Sequence, residues 1–183
     1  MRVSNSGINL IKKSEDFRSE MYLDPVGLPT IGYGTYLRTP ELLAEFEYTK
    51  ISESEATGLL MDHLEREVLP VIESKVKARL NQNQVDSLAS FIYNLGRTNF
   101  STSTLLERIN EGSGEEEIRS QFYRWNKGRI DGKLVVLNGL ATRRKEEADL
   151  YFKDPVKKKI LIALAISLII VVTGFIIMKL KSK

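Results

Sequence analysis

The sequence predicts an α+β domain, mainly helical, with one small β-hairpin and an apolar segment at its C-terminal end. Successive stretches carry apolar residues at helical spacing and open on recognisable capping residues. One stretch, around Asp24-Pro25-Val26-Gly27, has turn chemistry in place of helical periodicity. A third stretch, Ile160 to Met178, runs for 19 residues without a charge. With 42% hydrophobic and 28% charged residues among 183, the chain has the make-up of one well-buried domain rather than of a disordered protein.

Taken in order, Met1 to Asn5 lacks the basic start and apolar core of a secretory signal. Ile8 and Ile11 then mark a helix from about Ser6 to Phe17, with Glu15 on the same face. A strand runs into the Asp24 turn, and a second, Thr30 to Leu37, returns beside it. Thr39 can cap a short helix that has Pro40 in its first position and continues from Glu41 to Phe46. Ser52 with Glu55 forms a capping box for a helix from Glu53 through Leu64 towards Pro70. Asn81 with Gln84 opens the next in similar style, and the stripe Val85, Leu88, Ala89, Ile92 and Leu95, closed by Gly96, predicts the central core helix. Three further helices are expected over Thr104 to Ile109, Glu115 to Asn126 and Gly139 to Phe152, with an irregular stretch around Asp131-Gly132. Trp125 is read as a packing residue.

Composition excludes several functions. There is no cysteine, hence no disulfide, thiolate metal site or thiol nucleophile. The formal charge of +3 is unevenly spread: residues 155 to 183 hold six lysines and no acid, leaving 21 basic against 24 acidic residues in the rest, a net −3. A nucleic-acid binder would concentrate basic residues on the folded domain, so nucleic acid is not an expected partner. The single histidine, His63, has no companions at metal-ligand spacing and is read as a surface or partly paired residue; no metal or other cofactor is expected.

The chemistry concentrates between Glu15 and Thr35. A carboxyl beside Ile8 and Ile11 loses solvation of its charged form, so Glu15 is expected to hold a proton near neutral pH. Asp24, at a turn, is expected to stay wet and ionised. One protonated and one ionised carboxyl flanking a bond is what glycosidic hydrolysis requires: the first protonates the leaving oxygen, the second activates water or attacks carbon.

Helix, Glu15, eight residues, Asp24, five residues, Thr30 and then Ile31-Gly32-Tyr33-Gly34 resembles the signature of the phage-type lysozymes, the endolysins of glycoside hydrolase family 24. Later blocks resemble the family in the same order: Leu80 to Leu88, Phe91 to Gly96, Phe100 with Ser103 to Leu106, Arg124-Trp125-Asn126, and Gly139-Leu140 followed by Arg143-Arg144. The resemblance covers about residues 7 to 152 and implies a lysozyme-like fold whose hairpin lobe and helical lobe enclose a cleft. It also implies a muramidase cutting the β-1,4 bond between N-acetylmuramic acid and N-acetylglucosamine of a peptidoglycan strand. By the same resemblance Glu15 is the proton donor, Asp24 the second catalytic carboxylate and Thr30 the residue that helps hold water, with Tyr36, Tyr93 and Ser103 as sugar-contact candidates. Thr35 stands where the family commonly has histidine. Inversion at the anomeric carbon is favoured; a lytic transglycosylase and an inactive, membrane-held wall-binding or virion protein are the rival readings.

Beyond residues 1–154, read as the catalytic domain, come a basic linker over 155–159, a transmembrane helix over 160–178 and a basic tail over 179–183. As a helix the 19 uncharged residues reach about 28 Å, the thickness of a bilayer's hydrocarbon core. Lysines on both sides leave the orientation undecided, with a slight bias towards a cytoplasmic domain. Peptidoglycan lies on the other side of the membrane. Release by a holin-like lysis factor, the opposite orientation, or residence in a lipid-containing virus particle would each reconcile the two.

Overall fold

The computed structural model describes residues 1–24, 27–130 and 132–154. Met1–Phe152 forms one compact unit, and the chain divides after Phe152. The predicted transmembrane helix lies outside the described residues, among which no helix is long and apolar enough to cross a membrane.

The first helix, α1, covers Asn5–Ser14, capped by Ser4, whose hydroxyl accepts from the Ser6 N–H. It ends three residues sooner than expected, because Glu15 turns to extended backbone (φ −110°, ψ 120°) to enter strand β1, Arg18–Leu23. The expected return strand is two short strands, β2 (Pro29–Gly32) and β3 (Thr35–Tyr36), and the three form an antiparallel sheet in the order β1-β2-β3. Tyr22 pairs with Thr30, and Thr30 pairs in turn with Tyr36.

Helix α2, Pro40–Phe46, has the expected Thr39 cap and leading proline. The Ser52/Glu55 capping box opens α3, Glu53–His63. A π-helical turn over Leu64–Val68 then joins it to α4, Leu69–Lys75. Pro70 explains the wider turn: it has no N–H to donate back, and the Leu69 N–H reaches the Leu64 carbonyl instead.

Helix α5, Gln82–Leu95, is the expected core helix, with the Asn81/Gln84 capping box in place and Gly96 ending it at φ +83°. It packs against α1, α4, a short unpredicted helix α6 (Arg97–Ser101) and α9 (Asn138–Tyr151). Gly7 sets how closely α1 can approach: a Cβ there would come within 2.8 Å of Asp86 on α5. Asp86 also accepts from the Ser4 N–H at 2.8 Å, so this contact is both tight and polar. On the other side of α5, Phe91 meets Phe100, Phe122 and Trp125 edge to face, which confirms Trp125 as a packing residue. The three buried phenylalanine rings are each worth about 2 kcal/mol of removed apolar surface, and Trp125 is partly buried against them.

Helices α7 (Thr104–Glu111) and α8 (Glu115–Tyr123) complete the helical side. The stretch expected to be irregular contains a second hairpin, β4 (Lys127–Ile130) with β5 (Lys133–Val136). Its strands are largely exposed, Ile130, Leu134 and Val136 included, and contribute little to the core.

Candidate active site

Glu15 sits where α1 gives way to β1, its N–H donating to the Ile11 carbonyl at 3.0 Å. Ile8 and Ile11 are buried as expected, but they do not define the surroundings of the carboxyl. Arg143, buried on α9, donates from Nη1 to Glu15 Oε1 at 2.5 Å. The apolar setting inferred from helical spacing is therefore corrected to a charged one: an aliphatic face orients the backbone, and a guanidinium holds the side chain.

Arg143 is itself held. Its Nε donates to Glu147 Oε1 at 3.2 Å and its Nη2 to the Ser90 carbonyl at 3.3 Å. The Ser90 hydroxyl donates to the same Glu147 oxygen at 2.7 Å, and Arg144 lies 3.0 Å from the other oxygen. Glu147 and Arg144 are both fully buried. Burial pushes the Glu147 carboxyl above the usual carboxylate range, against the pull of Arg144, Arg143 and Ser90. Burial likewise lowers Arg144 to about 10. Sequence reading noted Arg143-Arg144 only as a family block and assigned neither a role; the one available signal was the i,i+4 spacing of Arg143 and Glu147 on a helix.

Asp24 is fixed by its own turn. Its N–H donates to the Leu28 carbonyl at 2.9 Å, its carbonyl accepts from Gly27 at 2.9 Å, and Oδ1 accepts from the Leu28 N–H at 2.8 Å. Thr30, only 4% exposed, donates its hydroxyl to the Leu28 carbonyl at 3.0 Å. Turn and threonine thus share the Leu28 peptide.

Two tyrosines tie the halves together. Tyr22, the strand partner of Thr30, has its phenol raised first by burial and then by the negative charge of Glu15, with Asp24 and Asp16 adding to it and Arg18 opposing. Both carboxylates therefore act on one ring. Tyr93, on α5, donates to the Tyr33 carbonyl at 2.6 Å, and burial followed by Glu15 pushes its phenol far up. Gly34 lies between these groups: at φ +89°, a Cβ there would stand 3.6 Å from the Tyr93 hydroxyl and 3.9 Å from Glu15 Oε2. Tyr22 was not singled out from the sequence.

The sugar-contact candidates fall in different settings. Tyr36 lies beside Thr30 and is 38% exposed. Tyr93 has its hydroxyl committed to Tyr33, and Ser103 caps α7, accepting from the Leu106 N–H and donating to the Phe100 carbonyl. His63 is partly buried, its ring edge-on to Tyr93 at 5.2 Å, and burial lowers its pKa, with Arg38 adding to the effect against Glu67 and Asp62. Among the described residues no group of three or more metal-ligating side chains is placed to hold an ion.

A helical body bearing a small sheet, with one acid at a helix end and another at a hairpin turn, defines a lysozyme-like protein. The description "Phage lysozyme" matches residues 12–147. The endolysin of Acyrthosiphon pisum secondary endosymbiont phage 1 is 34% identical over 153 residues, covering 82% of this chain and 98% of that one. The muramidase domain of SpmX from Asticaccaulis excentricus superposes with a TM-score of 0.72 at 31% identity, over 84% of this chain and 99% of that one. The endolysin of Escherichia coli O157:H7 phage FAHEc1 does so with a TM-score of 0.72 at 34% identity, over 84% and 94%. The chain belongs to the phage lysozyme family.

Proposed function

We propose that this chain is an endolysin-type muramidase that hydrolyses the β-1,4 bond between N-acetylmuramic acid and N-acetylglucosamine of peptidoglycan. The observation that carries the reading is Glu15, held by Arg143 at the end of α1, in a chain of this family. Arg143 occupies Oε1 of Glu15, so Oε2, on the Gly34 side, is the oxygen that carries the proton. That proton passes to the glycosidic oxygen as its bond to the anomeric carbon breaks. Water, held by Thr30 and Asp24, bonds to that carbon and gives its proton to Asp24. Arg143 stabilises the Glu15 carboxylate once the proton has left. Tyr36 offers an exposed ring to a sugar face, while Tyr93 and Ser103 shape the wall rather than hydrogen-bond the substrate.

The test is mass spectrometry of fragments released from purified peptidoglycan by the full-length protein. Reducing N-acetylmuramic acid ends are expected. Ends in 1,6-anhydro form would make the protein a lytic transglycosylase, and no fragments would leave a wall-binding protein. The anomeric configuration of fresh product, read by NMR, distinguishes inversion from a covalent route.

Residues 160–178 are proposed to span a membrane and tether the enzyme, a reading supported by 19 uncharged residues between lysine-bearing flanks. A cytoplasmic domain would then need a holin-like factor to reach the wall. Resistance to alkaline extraction tests the anchor, and protease access in intact spheroplasts tests the side; an extractable protein would remove the tether.

A further inference from the structure

The β4–β5 hairpin carries an apolar patch that the core does not use. Ile130, Leu134 and Val136 are 54%, 61% and 53% exposed, and nowhere else among the described residues do three large apolar side chains stand so exposed and so close together in the chain. Aliphatic groups left in water gain nothing from packing, which marks such a patch as a contact surface.

Strand register sorts these side chains by face. Lys127 is paired with Val136 and Arg129 with Leu134, while Gly128 is paired with Val135 and Ile130 with Lys133. Residues directly opposite in an antiparallel pair share a face, and successive pairs take opposite faces. One face is partly covered at its base: Gly128 and Val135 are half-buried, and a Cβ on Gly128 would come within 2.6 Å of the Leu137 side chain. The other is open along its length, with Lys127, Arg129, Leu134 and Val136 all exposed. It interleaves two cations with two aliphatic groups, and Ile130 with Lys133 continue the same chemistry at the tip.

Charge selects what this face can meet. Among the described residues no acid forms an ion pair with Lys127, Arg129 or Lys133. Arg129 spends Nη1 on the Gly132 carbonyl at 2.9 Å, and Asp131 is the only acid within residues 127–136. Residues 1–154 sum to −3, so an anionic surface is repelled by the domain as a whole and attracted here. The face has no aromatic ring to stack on a sugar, and a soluble anion would leave its aliphatic groups in water. Cations set among aliphatic side chains fit an anionic lipid surface, where the charged groups meet headgroups and the apolar ones enter the boundary with the acyl chains. The same chain carries 19 uncharged residues from Ile160 to Met178 between lysine-bearing flanks, a sequence suited to the same surroundings.

We propose that the β4–β5 hairpin binds the surface of an anionic bilayer through Lys127, Arg129, Leu134 and Val136, with Ile130 and Lys133 at its tip. The domain thereby gains a reversible membrane contact at the N-terminal end of α9, about 21 Å along that helix from the end that leads towards residue 160. The contact is independent of the muramidase activity and does not require residues 160–178 to span the membrane.

The chain has no cysteine, so Val136→Cys offers a single position for an environment-sensitive fluorophore, and Tyr48→Cys, at a side chain 91% exposed, a reference position. Each labelled full-length protein is mixed with vesicles of phosphatidylcholine, alone or with about 30% phosphatidylglycerol, that carry a spin-labelled lipid as quencher. Anionic vesicles should shift the probe at 136 to the blue and quench it several-fold more than zwitterionic ones, and leave the probe at 48 unchanged. Lys127→Gln and Arg129→Gln, each with the same probe at 136, should each weaken the contact by about fivefold, which controls for the probe's own affinity for lipid. Rising salt should weaken it too. A probe at 136 that stays in water on both vesicles overturns the proposal, as does a response equal on both or indifferent to both substitutions. A shift that grows with protein density at fixed lipid also overturns it, because the occupant would then be a second copy of the chain. Flotation of the same samples separates this contact from the tether. Protein that floats with both vesicles while its probe at 136 stays in water keeps the tether and overturns the hairpin contact; flotation with anionic vesicles alone, the probe quenched, upholds the hairpin contact without a tether.

Discussion

Glu15 and Asp24, the two acids proposed to serve one reaction, are held in opposite ways. Asp24 is positioned by Leu28, four residues away, through hydrogen bonds inside one turn. Glu15 is positioned by Arg143, 128 residues away, which stands in turn on Ser90 and Glu147 in the interior. Local hydrogen bonds orient a wet side chain at little cost to the fold, whereas the helical side depends on a buried ionic cluster, in which loss of one member strands the others. Damage on the hairpin side should therefore appear in turnover alone, and damage on the helical side in stability as well.

Asp24→Asn sharpens the contrast most. Asn keeps an oxygen for the Leu28 N–H but cannot take a proton, so activity on peptidoglycan should fall about 10²- to 10⁴-fold with the melting temperature almost unchanged. Glu147→Ala is the counterpart within the ionic cluster: two buried arginines lose their shared acid, and denaturant unfolding should show a loss of about 3–5 kcal/mol. A loss below about 1 kcal/mol there would show that the cluster is not what holds the helical side.

Gly34→Ala lies between the two regions. An L-residue at φ +89° is strained by about 1–2 kcal/mol. The new methyl group would meet Glu15 Oε2 only at van der Waals distance, so the strain of the backbone beside the acid is what should lower activity, by about tenfold read as kcat/KM. The smallest effect concerns His63. Its folded pKa is lowered, so its contribution to stability is full above the unfolded value of about 6.5 and is lost as pH falls through the folded value. Thermal melts between pH 7.5 and 5 should show a decline that His63→Gln reduces.

Local chemistry made much of this legible before any coordinates. The Thr39, Ser52 and Asn81 caps each start the helix they were expected to start. The Glu15, Asp24 and Thr30 spacing lay on a stretch short enough to read by eye. What escaped was non-local or weakly patterned. Nothing near Glu15 in the chain announces Arg143, so helical spacing suggested an apolar neighbourhood where a cation stands. The β4–β5 hairpin has short, exposed strands without apolar-polar alternation, although the Asp131-Gly132 pair in the sequence is a hairpin-turn signal that could have revealed it. The π-turn before Pro70 was hidden because the apolar pattern continues through it.

The most direct test of the catalytic account is release of reducing ends from purified peptidoglycan by Glu15→Gln protein whose melting temperature matches the wild type. Glutamine can still accept from Arg143 but has no acidic proton to give to a glycosidic oxygen, so release should fall to background. Release at the wild-type rate would contradict the assignment of Glu15 as the acid and, with it, the division of labour between helix end and hairpin.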